Sequence, residues 1–399
     1  MTTPTFDPDR PLPDMPDPWA GTSVPAARSG PPYAMTEMIA AEPALAERML
    51  AALGRQGGGA STLAGAIRDA AVAREPIVVV GCGTSEHGAM GFAEIVRDAM
   101  RAARLPGPGP VATQAFEAAL DPQEHGLCVG ISHEGGTAAT IRAMEAARDA
   151  GARVALVTVT ERSPAAAIAE VVVATRELDQ SWCHTIGYLA PLLAGTAVGA
   201  ALRGEDPGSA RIRGLLASGL APAATSEAET AAGVLAGADH IIVVGSGADR
   251  IAGRELTLKI EEAAWIPTAY RDLETFLHGH LPATGESTGL VLLLTDRSGA
   301  AQRGDRARQL LAAARAVGVR SAAIVSAPVA GRIPAELTPA GRIVVAADAG
   351  LPGPVESLFA TATPLQTLTE RIARARGTNP DPIRRDDPRY AAASAAAES

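Results

Sequence analysis

The stretch that decides the fold of this 399-residue chain is Ile77-Val78-Val79-Val80-Gly81-Cys82-Gly83-Thr84-Ser85. Its four consecutive β-branched apolar residues predict a strand buried on both faces, as in a parallel sheet. The glycines and hydroxyl residues after them predict a tight turn that leads into a helix over residues 86–104. A strand, a glycine turn and a helix in this order are typical of an α/β unit.

The same order recurs along the chain and predicts two α/β units of one design. Further apolar strand-like runs alternate with helical patterns, at residues 127–131, 154–159, 171–173, 241–244, 291–294, 322–325 and 343–345. We therefore predict an α/β fold with two domains, each a mainly parallel sheet flanked by helices in a flavodoxin-like three-layer sandwich. The expected division is an extended arm over 1–34, domains over 35–205 and 206–376, and a tail over 377–399.

Charge and cysteine content exclude several classes of protein. With 35 basic and 44 acidic side chains the formal net charge is −9, which argues against a general nucleic-acid-binding surface. The three cysteines cannot form a secreted disulfide framework, and the N-terminus lacks the pattern of a signal peptide. No apolar run reaches the roughly 20 uninterrupted residues of a membrane span. We therefore expect a cytoplasmic protein with no nucleic-acid partner and no membrane segment.

Two loops and two later motifs carry a resemblance to a known family. The first loop and Ser132-His133-Glu134-Gly135-Gly136-Thr137 resemble the ligand loops of the sugar isomerase (SIS) domain family. His278-Gly279, sixteen residues after Glu262, and the tail Gly377-Thr378-Asn379-Pro380-Asp381 with Arg384 resemble the isomerase part of the glucosamine-6-phosphate synthases. The resemblance covers residues 35–388 as tandem SIS domains. It implies the isomerase part alone, with the arm in the place of the glutaminase domain.

The resemblance implies that the two loops hold a sugar phosphate. Hydroxyl groups and backbone N–H groups at a helix N-terminus favour an anion, although the same residues can serve only as turn formers and helix caps. Because two loops share this design, we favour binding. The candidate substrate-binding residues in the loops are Gly83, Thr84, Ser85, Ser132, His133, Glu134 and Thr137.

Glu134 departs from the resemblance, because the family usually has a hydroxyl residue at this position. A carboxylate a few ångströms from a phosphate dianion repels it by several kcal/mol at moderate dielectric. Three explanations stay open. Glu134 points away from the site, or an arginine or His133 compensates its charge, or the ligand is not a simple phosphomonoester.

A second group of candidates lies on one predicted helix. Glu255, Lys259 and Glu262 are four and three residues apart, which places them on one helix face, and Lys259 is the only lysine in the chain. This spacing commonly forms a solvated ion-pair ladder. The resemblance implies instead that Glu262 is the catalytic carboxylate that moves a proton between C1 and C2 of an open-chain sugar. Lys259 is a further candidate substrate-binding residue, which would position Glu262 or hold its charge, whereas Glu261 lies off that face and is interpreted as structural.

The resemblance also implies that His278 is catalytic and opens the sugar ring, since an imidazole can protonate the ring oxygen near neutral pH. His280 stands where the family has proline, and it is a second candidate for this role. In the glucosamine-6-phosphate synthases the matching histidine enters the neighbouring subunit's site, so we expect a homodimer with composite sites. Trp182 is a candidate substrate-binding residue that stacks on the sugar, with an ordinary core position as the alternative.

We expect neither a metal nor a cofactor. The spacing of the histidines and cysteines matches no recognised set of metal ligands. The tail position that carries the Schiff-base lysine in the glucosamine-6-phosphate synthases is Pro388 in this chain, which argues against Schiff-base chemistry through the tail.

The resulting hypothesis is an aldose–ketose isomerase or an isomerase/deaminase. Its ligand would be a phosphorylated or otherwise anionic sugar or amino sugar, which reacts by ring opening and an enediol or enolamine proton transfer. The identity of the sugar and the choice between isomerisation and deamination stay open. The alternative is a non-catalytic regulatory protein that binds a sugar phosphate.

Overall fold

The fold is that of a computed structural model, which describes residues 6–12 and 28–398. The strands of the first sheet are β1 Ile77–Gly81, β2 Val111–Gln114, β3 Leu127–Ile131, β4 Arg153–Thr158 and β5 Val171–Ala174. The strands of the second sheet are β6 His240–Val244, β7 Thr268–Arg271, β8 Thr288–Leu294, β9 Arg320–Ser326 and β10 Gly341–Val345.

Helices flank both sheets. In the first half they are α1 Ala34–Leu53, α2 Gly59–Ala73, α3 Thr84–Ala102, α4 Ala115–Leu120, α5 Ala138–Asp149 and α6 Ile186–Arg203. In the second half they are α7 Ser209–Gly219, α8 Pro222–Leu235, α9 Asp249–Ala264, α10 Leu273–Thr275, α11 Ala300–Ala316, α12 Ala327–Ala330, α13 Gly353–Arg376 and α14 Pro388–Glu398.

The two sheets share one topology, which confirms the predicted repeat. The strand orders are β2-β1-β3-β4-β5 and β10-β9-β8-β6-β7, and every strand pairing is parallel. Both orders are that of a flavodoxin-like sheet, in which ligands bind outside the carboxyl ends of the two strands where the chain reverses direction across the sheet. In the first unit these strands are β1 and β3, the two that carry the glycine loops.

Small residues join α3 to α6 in the interior. A Cβ on Gly91 would collide with the side chain of Leu192, and one on Gly195 would lie 3.1 Å from the Cα atom of Phe92. Helix α6 is long and apolar enough to cross a membrane, with a mean hydropathy of 1.3, but 89% of it is buried within the structure. We therefore interpret α6 as the central core helix, and its contact with α3 holds the helix that begins at the first glycine loop.

The tail ties the two units together, which gives the Gly377–Asp381 motif a structural function. The hydroxyl of Thr378 donates to the carbonyl oxygen of Ala263 at 2.7 Å, at the end of α9. The carboxylate of Asp381 accepts hydrogen bonds from the N–H groups of Ala34 at 2.9 Å and Met35 at 3.0 Å. Asp381 thereby caps the N-terminus of α1 from a distant part of the chain.

The sequence predictions of single elements succeed where the apolar pattern is strong. All eight predicted strands exist, whereas β2, β7 and the tail helix α14 are missed. Most of the predicted arm, at residues 1–5 and 13–27, lies outside the described residues. The described part, residues 6–12, packs on its own chain: Leu12 is buried and its N–H group donates to Glu177 at 3.3 Å. The domain boundaries stay predictions.

Candidate active site

An open cleft of about 770 Å³ lies at the carboxyl ends of β1 and β3. Both glycine loops, the segment before α6, helix α9 and the C-terminal tail contribute to it. The cleft is lined by Cys82, Gly83, Thr84, Ser85, His133, Glu134, Gly136, Thr137, Ala138, Trp182, His184, Glu262, Ile383 and Arg385. Most of the predicted site residues therefore meet in one place, and three of them, Ser132, Lys259 and His278, do not line it.

The first loop turns the chain from β1 into α3 in two residues. Gly83 has a φ of 57°, in the region that favours glycine. A Cβ on Gly81 would lie 2.5 Å from the carbonyl oxygen of Ser85, so this position also excludes larger residues. The turn places Thr84 and Ser85 at the N-terminus of α3, facing the cleft, and the Thr84 hydroxyl lies 3.5 Å from Glu255.

Ser132 stabilises the second loop from its buried side. Its buried hydroxyl accepts a hydrogen bond from the N–H group of Gly135 at 3.1 Å and lies 3.3 Å from the hydroxyl of Thr137. Among the described residues, the N–H groups of Gly136 and Thr137 have no protein acceptor. The loop therefore presents free backbone donors to the cleft, whereas direct contact of Ser132 with a ligand stays a prediction.

His133 is a neutral residue in this setting. Its Nε2 atom accepts a hydrogen bond from the N–H group of Asp179 at 3.0 Å, and burial lowers the pKa of the imidazole to about 4. The ring also contacts that of His184, with 5.2 Å between centroids. His133 therefore supplies no positive charge near pH 7 that could compensate Glu134.

Glu134 faces the cleft, which excludes the first of the three explanations considered above. Burial raises the pKa of its carboxyl group, and the positive charge of Arg385 opposes this shift. The guanidinium of Arg385 stacks on the indole of Trp182, 3.7 Å from the ring centroid. An arginine from the tail thus stands opposite the carboxylate that the second loop brings into the cleft.

The predicted helix face exists in α9, and Lys259 lies at its centre. The Nζ atom of Lys259 is 2.6 Å from Oε2 of Glu262 and 3.6 Å from Oε1 of Glu255, and the lysine is fully buried. Burial alone lowers the pKa of Lys259, but the two carboxylates outweigh it and the net shift is upward. Lys259 is therefore a cation beneath the cleft, and it holds Glu262 at the cleft surface.

Two other glutamates of α9, Glu255 and Glu261, have partners outside the helix. The other oxygen of Glu255 lies 2.7 Å from Nδ1 of His87, so Glu255 joins α9 to α3. Glu261 is exposed and accepts a hydrogen bond from the N–H group of Thr268 at 3.0 Å, in agreement with its predicted structural role. Only Glu262 presents a carboxylate from this helix to the cleft.

His278 lies outside the cleft of its own chain. It belongs to a π-helical turn, Phe276–His280, in which Gly279 has a φ of 121°. Its side chain is 70% exposed, and Nε2 is 2.7 Å from Glu274, which also binds Arg306. Within one subunit, therefore, His278 does not reach the cleft that Glu262 lines.

Sequence reasoning missed several residues of the cleft, among them two residues of the C-terminal tail and one histidine. Ile383 and Arg385 come from a segment with no periodic pattern, so only the fold shows that they reach the cleft. The sequence motifs assign no role to His184, yet it lines the cleft and burial lowers the pKa of its imidazole. In the described part of the chain, no cluster of three or more histidine, cysteine, aspartate or glutamate residues could hold a metal.

Solved structures with the same fold come from several phosphosugar enzymes. The C-terminal domain of glucosamine-fructose-6-phosphate aminotransferase from Francisella tularensis matches with a TM-score of 0.74 at 20% identity, over 89% of this chain and 100% of that chain. Tagatose-6-phosphate ketose/aldose isomerase from Escherichia coli matches with a TM-score of 0.66 at 19% identity, over 90% and 97%. Glucosamine-6-phosphate deaminase from Thermotoga maritima matches with a TM-score of 0.57 at 19% identity, over 77% and 88%.

No family model matches the sequence, and no curated relative matches it. At these identities the solved structures establish only the architecture of this chain. The first two matches extend over nearly the whole length of the compared chains. The two parallel sheets of five strands, in the same order, are the architecture that the resemblance in the loops predicts. The chain therefore has the tandem SIS fold.

Proposed function

We propose that this protein is a sugar isomerase, or an isomerase/deaminase, that acts on a phosphorylated or otherwise anionic sugar or amino sugar. The observation that carries the proposal is the position of Glu262. Its carboxylate lies at the wall of the cleft that both glycine loops also line, and the only lysine of the chain lies 2.6 Å behind it. A carboxylate at the surface of a ligand cleft, fixed from behind by an ammonium group, is suited to accept and return a carbon-bound proton.

The reaction follows from these positions. The loops and Arg385 hold the anionic part of an open-chain sugar, so that C1 and C2 face Glu262. Glu262 removes the proton from one carbon and returns it to the other through an enediol. With an amino group at C2, the same transfer passes through an enolamine to an imine at C2. Water then hydrolyses this imine to the ketone and releases ammonia, which is the deaminase outcome. Neither path requires a metal or an organic cofactor.

The ring-opening acid is proposed to come from a second copy of the chain. His278 is exposed and lies outside the cleft of its own subunit, and His280 belongs to the same turn. A homodimer in which this turn enters the neighbouring cleft would complete each site. Mixing Glu262→Gln with His278→Ala protein under conditions of subunit exchange should then partly restore activity. Proven exchange without recovery, or a strictly monomeric mass, contradicts this arrangement.

The proposal is tested by proton exchange in D₂O, because enolisation exchanges a carbon-bound proton with solvent. The deuterium appears at C2 when the aldose re-forms and at C1 when the ketose forms. Hexose 6-phosphates and hexosamine 6-phosphates are incubated with the wild-type protein and followed by NMR. Glu262→Gln should lower the rate of deuterium incorporation by about 100-fold or more and leave binding intact. Glu261→Gln, one residue away and outside the cleft, is the matched control and should keep the wild-type rate.

The same experiment separates the enzyme from a regulatory binding protein. Binding of a sugar phosphate by both the wild type and Glu262→Gln, without exchange or turnover in either, favours the binding protein. Exchange that survives in Glu262→Gln assigns the base to another residue and overturns the proposed mechanism.

A further inference from the structure

The cleft contains two opposite charges that form no ion pair with any residue the structure describes. Glu134 comes from the second glycine loop and Arg385 from the C-terminal tail, and both line the same cleft. Within the described residues, neither the carboxylate of Glu134 nor the guanidinium of Arg385 forms a hydrogen bond or an ion pair. Glu134 is half-buried, whereas Arg385 is exposed. Burying part of a charge without a partner is costly, so a carboxylate such as Glu134 commonly serves a ligand.

Arg385 is held in place without use of its N–H donors. Its guanidinium lies flat on Trp182, 3.7 Å from the ring centroid, and this stacking leaves the donors at its edge free. The tail is fixed at the same place, because the N–H group of Trp182 donates to the carbonyl oxygen of Asp381 at 2.9 Å. Arg385 therefore offers the cleft a positioned donor fork for a phosphate or a carboxylate.

Glu134 offers the opposite charge. It is only half-buried, and it occupies a loop whose Gly136 and Thr137 N–H groups are also free. A ligand with an anionic group alone meets the repulsion of Glu134, and a ligand with an ammonium group alone meets that of Arg385. A ligand that carries both charges satisfies both side chains.

We propose that Glu134 and Arg385 form a two-charge subsite that selects zwitterionic sugar derivatives, in which an ammonium group accompanies the anionic group. The inference rests on the proposed function for the presence of a sugar, and it narrows the substrate class to amino sugars with an acidic substituent. Glu134 binds the ammonium group, and Arg385 binds the anion together with the free N–H groups of the second loop.

The test is a comparison of two probes by isothermal titration calorimetry. Glucosamine 6-phosphate carries both charges, and glucose 6-phosphate carries only the anion. All measurements are made in the Glu262→Gln background, so that turnover does not disturb the binding data. We expect the Glu262→Gln protein, the parent of the variants below, to bind glucosamine 6-phosphate at least about 10-fold more tightly than glucose 6-phosphate.

The variants separate the two charges. Glu134→Gln should reduce the affinity ratio of the two probes to about 1, because it keeps the shape and removes the charge. Arg385→Gln should weaken both probes by about 10-fold or more and leave their ratio unchanged. Arg384→Gln is the matched control, because Arg384 stacks on Trp265 and Tyr390 outside the cleft. It should change neither affinity.

Several outcomes overturn the inference. These are equal affinities of the parent for the two probes, a ratio that Glu134→Gln leaves intact, and binding that Arg385→Gln leaves intact. Failure of the parent to bind either probe overturns it as well. The result is independent of catalysis, because a two-charge subsite can be present in a protein whose Glu262 transfers no proton.

Discussion

Replacement of Lys259 by methionine should destabilise the protein by about 3 kcal/mol or more. Methionine fills a similar volume and removes the only cation between Glu255 and Glu262. Lys259 is fully buried, with its Nζ atom 2.6 Å from one carboxylate and 3.6 Å from the other. Removal of one partner from a buried ion pair costs about 3–5 kcal/mol, because the remaining charge stays buried without compensation.

The lower end of that range is expected for a structural reason. The side chain of Glu262 is 22% exposed, so water from the cleft hydrates part of its charge. Glu255 is almost fully buried, but it keeps its contact with His87 at 2.7 Å. This contact gives one oxygen of Glu255 a partner in the variant as well. Both effects reduce the cost and neither removes it.

Urea unfolding followed by circular dichroism measures the effect, provided that the m-value of the variant equals that of the wild type. Glu261→Gln is the control, since it changes an exposed residue of the same helix and should shift the free energy of unfolding by less than about 0.5 kcal/mol. The double variant Lys259→Met/Glu255→Gln removes one of the two facing carboxylates. It should recover at least about 1 kcal/mol relative to Lys259→Met alone.

Two results would refute this reasoning. If the free energy of unfolding of Lys259→Met lies within about 1 kcal/mol of that of the wild type, the ion pairs of the buried lysine contribute little to stability. A double variant whose loss equals the sum of the two single losses would show that Glu255 and Lys259 act independently. If Lys259→Met does not fold at all, the double variant still decides, because recovery of folding confirms the charge argument.

Three further changes test separate contacts. The free energy of unfolding of the wild type, minus that of His133→Gln, should rise by about 3 kcal/mol from pH 4 to pH 6.5. The buried imidazole has a pKa of about 4 and is mostly neutral over this range, whereas in the unfolded chain it binds a proton below its ordinary pKa of 6.5. A difference that does not change with pH would assign His133 an ordinary pKa. Asp381→Ala should lower the free energy of unfolding by about 1–2 kcal/mol through loss of the α1 cap, with exposed Asp386→Ala as its control, and equal stabilities would contradict the cap. Thr84→Val should raise KM for an accepted sugar phosphate by about 10-fold, and an unchanged KM would remove this hydroxyl from the ligand contacts.

The fold was predictable because most of its strands can be recognised from a few consecutive residues. The run of four β-branched residues before Gly81 and the similar run before Gly245 need no long-range information to be recognised as buried strands. The short strand β2, Val111–Gln114, lies at a sheet edge and is partly exposed, so its sequence carries little apolar signal. Strand β7, Thr268–Arg271, was missed for the same reason.

The candidate site was predictable only as far as single segments reveal it. The spacing of Lys259 and Glu262 fixes their contact within one helix, and the structure confirms it. Arg385 reaches Trp182 only because the tail crosses from the second unit back to the first, a long-range contact that no local pattern encodes. The neutral state of His133 likewise depends on its burial and on a hydrogen bond from Asp179, which lies 46 residues away.

The loops of the second unit differ from those of the first in the acceptors that their N–H groups find. Its loops after β6 and β8 occupy the same position at the sheet edge, but carboxylates of the chain itself bind their donors. Asp249 accepts hydrogen bonds from the N–H groups of Thr295 at 2.8 Å and Asp296 at 3.0 Å. Asp296 accepts one from Ala248 at 2.8 Å and pairs with Arg303 at 2.7 Å. An external anion would have to displace two buried or nearly buried carboxylates there, whereas the second loop of the first unit offers free N–H groups.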